Sequence, residues 1–396
     1  MAGLSLVTLV LGLLREFMIA RELRASGAAD LFFRGLVVIN TARMFGMALF
    51  RGRWIPVAAT VPAARLMAVE RWTCAAISLI GVAVMAVFIG AELLEPTGLA
   101  LAGAAVLAVY GSAVRALAER AGRERSGFVL EWALPIGAIL GALLLPRSTL
   151  GPALGIFAGL AVGLVAQLPV LAIRAEPAGP TEDPQDSLVA ADDRRRTRVL
   201  LLDALIYGNL ALTDTLFSPL LVAGQFALLN YSYLFVNAAL VAPTAAATVV
   251  SLRLAAGGDP AMHAVLRRWA VIGGLASAVL VATVGLLLTW APVSVAIDAR
   301  VGWSMATPAG TLVLWSVPFA GLRMANTIGR QYVVATEPRR VLAWDLGGLV
   351  GRALILAVGI VTVGAVASPI GVAFVELVQL GAWWRGPRAP ANAAAT

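Results

Sequence analysis

Lysine is absent from this 396-residue chain, and histidine and cysteine occur once each, as His263 and Cys74. One cysteine excludes an internal disulfide, and one histidine excludes a histidine-based metal cluster. Charge is scarce: 13% of residues are charged against 60% hydrophobic, and mean hydropathy is +0.89. A soluble chain needs far more polar surface to cover its core. These absences exclude a soluble enzyme, a disordered protein and a secreted disulfide scaffold. There is also no GxxxxGKS/T segment, no pair of metal-site carboxylates and no nucleophile–base constellation. Enzymatic activity is therefore not expected, and neither a cofactor nor a metal is. The first apolar run, about 4–20, carries Arg15 and Glu16 with no basic region before it, so no cleavable signal peptide is expected.

What fills the chain is long apolar runs. A helical span takes about 20 such residues. We read twelve helices, at about 2–22, 31–50, 73–92, 97–118, 127–146, 150–173, 199–223, 225–254, 267–290, 309–335, 341–364 and 367–385. The one long polar stretch, 174–198, holds six acidic residues, three prolines and a run of arginines, and reads as a cytoplasmic linker. It divides the chain into an N-terminal lobe (1–173) and a C-terminal lobe (199–396). A faint repeat relates them: LLREF in helix 1 answers LTDTLF in helix 7, and ADLFFRGLVVIN in helix 2 answers QFALLNYSYLFVN in helix 8. Copies six helices apart keep one orientation, as in parallel-repeat transporters. The expected fold is all-α and polytopic, with about twelve transmembrane helices in two six-helix lobes around a central cavity.

All 30 basic residues are arginine, and the net charge is +8. Twenty arginines fall in alternate connections beginning with 51–72, and four in the opposite ones. By the positive-inside rule both termini are expected to be cytoplasmic. Nucleic acid is a poor partner for so apolar a chain; membrane lipids are the expected surroundings.

Six arginines remain inside the spans: Arg15, Arg34, Arg43, Arg323, Arg330 and Arg352. A charge near the bilayer centre costs about 2.5–3.5 kcal/mol on insertion scales, so each needs a partner, an aqueous cavity or a function. Arg15 and Glu16 are adjacent and about 100° apart on helix 1. Arg15 is expected to face a cavity with Glu16 paired to a neighbouring helix, the alternative being a structural ion pair. Asn40 and Arg43 share a face of helix 2, while Arg34 lies nearer the outer end, where it is expected to snorkel. Helix 10 aligns Ser316, Arg323, Asn326, Thr327 and Arg330. Helix 8 carries a polar stripe of Asn230, Tyr233, Asn237, Thr244 and Thr248. Asp203, Tyr207 and Asp214 share a side of helix 7, with Asp214 suited to neutralise an arginine, carry a proton or bind a cation. Asp345 and Arg352 are too far apart along helix 11 for direct contact, and Glu376 in helix 12 needs a partner. Gly137/Gly141, Gly155/Gly159/Gly163 and Gly347/Gly351 are spaced for close helix packing. Guanidinium forks at 15, 43 and 323 suit phosphate oxygens, and hence an anionic amphiphile such as a glycan-bearing polyprenyl pyrophosphate.

The segment LGLLREFMIARELRASGAADLFFRGLVVINTARMFG (Leu11–Gly46) resembles the opening of the MurJ-like lipid II flippases, within the superfamily of multidrug, oligosaccharidyl-lipid and polysaccharide exporters. Weaker likeness continues in TDTLFSPLLVAGQFALLNYSYL and in GRQYVVATEPRRV (Gly329–Val341). The resemblance implies alternating access and export of a lipid-linked glycan across a prokaryotic cytoplasmic membrane, driven by a coupling ion or the membrane potential. By position, Arg15, Glu16 and Arg43 fall on the family's charged cavity residues and Asp30 and Asn40 on its helix-2 pattern; with the reading of the spans above, Arg15, Arg43, Arg323 and Asn40 are the expected substrate-binding residues. Glu16, Asp30, Arg34, Asp214 and Arg352 would be supporting or ion-coupling residues. The chain departs from the family at Leu9 and Leu234, where further arginines are usual, and stops near a twelfth helix where the family commonly continues. The expected cargo is thus lipid II or a related lipid-linked oligosaccharide. The competing readings are a cation-coupled multidrug exporter relying on Glu16 and Asp214, and a non-transporting scaffold for cell-envelope proteins.

Overall fold

The computed structural model describes residues 2–54, 63–120, 124–171, 210–255, 260–301, 305–336 and 338–384. The expected linker at 174–198, and with it Asp203 and Tyr207, lies outside the described residues. The chain packs as two units, Met1–Asn230 with Val301–Trp303, and Tyr231–Arg300 with Ser304–Thr396.

The first unit contains α1 (Ala2–Leu23), α2 (Gly27–Trp54), α3 (Ala63–Ile89), α4 (Pro96–Arg120), α5 (Glu124–Leu144), α6 (Leu150–Leu171) and α7 (Leu210–Phe217). The first turn of α8 (Gln225–Ala255) also belongs to it. α4 is its centre, packed against α2, α3, α5 and α6. Ala42, Ala113 and Ala116 with the larger Phe50, Cys74, Ile77, Val109 and Leu117 make the α2–α3–α4 core. α5 and α6 approach so closely that a Cβ on Gly137 would strike the Gly155 carbonyl, and one on Gly155 the Gly137 carbonyl. The four-residue glycine spacing of both helices therefore serves backbone contact.

The second unit holds the rest of α8 with α9 (Pro260–Thr289), α10 (Ala291–Val301), α11 (Ala306–Trp315), α12 (Val317–Thr336), α13 (Pro338–Val363) and α14 (Ala367–Trp384). α9 packs on α11 and α12, and α14 on α12 and α13. The single helix expected over 309–335 is two helices meeting at Ser316. Pro318 lacks the N–H that would continue the ladder, and Ser316 closes α11 with bonds from its N–H to Leu312 and Val313. The short α10 was not expected; its first turn is held by the Val293 and Ser294 amides on the Trp290 carbonyl. The Gly347/Gly351 pair divides its labour: a Cβ on Gly351 would strike the Phe374 ring, whereas one on Gly347 meets open space.

Six helical stretches among the described residues are long and apolar enough to cross a membrane. Their outward faces leave Leu79, Val87, Val279 and Val361 exposed. A water-soluble fold buries such side chains, whereas lipid accommodates them. The chain is a multi-pass membrane protein whose secondary structure is entirely helical among the described residues.

Candidate functional site

Each intramembrane arginine singled out above whose side chain is described has an identifiable neighbour; the Arg330 side chain lies outside those described. In the first unit, Arg15 donates from Nε to Glu16 Oε1 at 2.9 Å, and its Nη2 pairs with the same oxygen. The expectation that these adjacent residues diverge is corrected. Their Cα–Cβ bonds do point about 100° apart, but the long arginine chain curls back to the carboxylate. An unpaired charge in apolar surroundings costs more than that bend. Arg15 is accordingly only 14% exposed and Glu16 is buried. α1 is fixed beside α5 by Trp132, whose indole N–H donates to Thr8 Oγ1 at 2.9 Å.

Arg43 enters a second group built by α2, α4 and α5. Arg115 pairs with Glu131, and its Nε donates to Glu119 Oε1 at 3.1 Å. Arg43 Nη1 approaches the same Glu131 Oε1 at 3.9 Å, beyond hydrogen-bonding distance, and its side chain is 32% exposed. Ser112 donates to the Arg43 carbonyl at 2.9 Å and so ties α4 to α2. A cavity of about 20 Å³, room for one water, is lined by Arg43, Ser112, Arg115, Glu131 and apolar neighbours. Arg15 also lies within electrostatic reach of Arg43. Three guanidiniums thus face three carboxylates, and the arginines at 15 and 43 expected to meet phosphate oxygens sit in a charge-balanced cluster. Arg115, counted above with the loops, lies inside α4, and Glu131 and Glu119 were missed. Their signal was present: Arg115 and Glu119 are an i,i+4 pair, and Glu131 interrupts an apolar run. Asn40 is half-buried on α2, one turn before Arg43.

Asp30 and Arg34 lie toward the other end of α2. The Asp30 carboxylate accepts the backbone N–H groups of Gly224 and Ala227, each at 2.7 Å. It therefore caps α8 from a different helix, satisfying two donors that a helix start leaves free. The turn before α8 lies on the turn before α2: Gly224 has φ +87°, and a Cβ there would strike the Ala25 carbonyl. Arg34 is partly buried four residues after Asp30 and within electrostatic reach of it. Asp214 is buried in α7, which packs on α2.

The second unit holds two polar networks. Arg323 on α12 donates to Glu376 Oε1 on α14 at 3.1 Å. Asn326, one turn along, donates to Glu376 Oε2 at 2.6 Å and to its backbone carbonyl at 2.7 Å. Trp383 donates its indole N–H to Asn326 Oδ1 at 2.8 Å, its ring lying where a Cβ on Gly329 would collide. Glu376 is fully buried, and Arg323 is 35% exposed. Arg352 on α13 is fully buried, its Nη2 3.4 Å from Ser368 Oγ, which in turn meets the Tyr233 hydroxyl at 2.7 Å. Tyr233 thus uses the expected polar stripe of α8 for bonding between helices. Asn230 bonds instead to Phe226 of its own helix, and the side chains of Thr244 and Thr248 lie outside those described.

No family model matches the sequence, and no curated protein does. Two solved structures share the fold over nearly the whole chain. One is the lipid II flippase MurJ in an inward closed conformation: 11% identity, TM-score 0.67, covering 96% of this chain and 86% of the other. The other is an inward-facing multidrug resistance transporter of the MATE family, in the MOP superfamily: 12% identity, TM-score 0.67, covering 96% and 93%. The likeness is one of fold, and both matched proteins are transporters.

Proposed function

We propose that this chain is a membrane transporter of that fold which moves a polyprenyl-pyrophosphate-linked glycan, lipid II or a related lipid-linked oligosaccharide, by alternating access. The observation that carries the reading is the Arg43 guanidinium, partly exposed and 3.9 Å from a carboxylate already engaged by Arg115. Its fork is open to a bidentate phosphate partner, the geometry that arginine serves best. An arriving pyrophosphate competes with Glu131 for Arg43 and with Glu16 for Arg15. Binding and ion-pair exchange are then one event. Asn40, on the same stretch of α2, supports the headgroup, and Arg323 with Glu376 offers a second exchangeable pair. The membrane potential is an adequate drive, worth about 2.3 kcal/mol per charge per 100 mV.

The test is binding of a polyprenyl pyrophosphate to the purified full chain in detergent. Arg43→Ala removes a charge-assisted contact worth about 1.5–3 kcal/mol, and so weakens binding by about tenfold to hundredfold. Unchanged affinity in Arg43→Ala and Arg15→Ala sinks the assignment. A second reading, a cation-coupled drug exporter, is favoured by the two buried acids Glu16 and Asp214. Drug protection of cells that vanishes in Asp214→Asn would select it.

A further inference from the structure

One cation in the second unit stands apart from both polar networks. A candidate span begins at Ala264, three residues before Arg267 in α9, and another ends at Trp384, the last residue of α14. The fold brings these two ends together: the Arg267 guanidinium lies 5.5 Å from the centre of the Trp384 ring. A span start beside a span end belongs where hydrocarbon gives way to headgroups, the depth that tryptophan favours. Arg267 Nε is buried and has no hydrogen-bond partner among the described residues. Beside it Arg268 and Trp269 are exposed. One turn into the membrane from Arg267, Val271 is exposed on the same face of α9, and Leu377 is exposed two turns before Trp384 on α14.

We propose that Arg267 and Trp384 form a binding site for the phosphate of an anionic phospholipid. The ring face attracts the guanidinium and holds it near α14, so its outer N–H groups meet a phosphate with less ordering left to do. Val271 and Leu377 give the acyl chains an apolar surface below, which a free phosphate ion would not use. The site is wired inward. The Trp384 ring is 5.6 Å from that of Trp383, whose N–H holds Asn326, which in turn holds Glu376 opposite Arg323. A bound headgroup therefore steadies the last turn of α14, from which Trp383 holds Asn326 against Glu376.

Native mass spectrometry of the delipidated full chain, titrated with phosphatidylglycerol or phosphatidylcholine, tests this. The wild type retains phosphatidylglycerol preferentially. Arg267→Gln lowers that preference about tenfold or more, the factor for a lost charge-assisted hydrogen bond to phosphate. Trp384→Leu, which keeps the charge, lowers it about threefold through loss of the cation–π contact. Arg268→Gln lowers it by at most about fivefold, the factor for one arginine in an anionic surface field. An effect of Arg268→Gln equal to that of Arg267→Gln would reveal a diffuse surface field and overturn the proposal. So would displacement of the lipid by inorganic phosphate, or wild-type preference in both Arg267→Gln and Trp384→Leu.

Discussion

Replacing Asp30 with alanine isolates a single physical claim: one carboxylate on α2 secures the start of α8. Both of its bonds are 2.7 Å long and run to backbone N–H groups at Gly224 and Ala227, which are themselves buried. The alanine variant leaves two buried donors without their acceptor. A buried unsatisfied donor costs about 1–3 kcal/mol, and a lost N-cap alone about 1 kcal/mol. Water entering the turn offsets part of this, so the expected loss is about 3 kcal/mol. Asp30→Asn keeps one acceptor oxygen but turns an amide NH₂ toward the other donor, and is expected to lose about half as much. Two measurements check it. Equilibrium unfolding in mixed detergent micelles gives the total loss. Hydrogen exchange gives its location: the Gly224 and Ala227 amides exchange about a hundredfold faster in Asp30→Ala, while α4 amides change little. A variant as stable as the wild type refutes the capping argument. Equal destabilisation spread over the whole first unit refutes it too, because the cost would then lie elsewhere than at the helix start.

The Arg323–Glu376 pair predicts an asymmetry. Arg323→Ala leaves a fully buried carboxylate with Asn326 as its remaining named partner and costs about 3 kcal/mol, whereas Glu376→Gln leaves an arginine that is already a third exposed and costs about 1 kcal/mol. Detergent unfolding of the two single variants and the double variant measures it, and equal costs would contradict the burial argument. Glycine replacements also separate. Gly155→Ala drives a Cβ into the Gly137 carbonyl and destabilises by about 1–3 kcal/mol, while Gly347→Ala meets open space and stabilises α13 by about 0.5–1 kcal/mol. Thermal unfolding of the pair decides, and the same sign for both would show that the glycine contacts do not set helix packing. Gly224→Ala, strained at φ +87° and blocked by the Ala25 carbonyl, should unfold at least as easily as Asp30→Ala in the same assay.

The apolar runs located helices well, because a bilayer span demands an unbroken stretch that composition alone reveals. Expected and observed helix starts agree closely for α1, α4, α6, α8 and α14. The starts of α3 and α9 were placed too late, because hydropathy reports where the membrane begins and not where the helix does. The break at Ser316 was written in Pro318 but overlooked inside a long apolar run. The glycine spacing of α5 and α6 was read correctly as packing, since a four-residue repeat of the smallest residue has few other uses.

The amino-acid sequence by itself determined that this is a multi-span helical membrane protein, and it nominated the few charges that cost energy where they sit. Each nomination follows from a one-dimensional count of apolar residues and a helical period. Only the tertiary structure decided what those charges do. It paired Arg15 with its own neighbour, set Arg43 at a distance from Glu131, gave Asp30 the start of another helix, and closed Glu376 between Arg323 and Asn326. Partner choice depends on which helices pack together and how far a flexible side chain reaches. Arg115 and Glu131 are sixteen residues apart on different helices, and no periodicity within either helix points to the other.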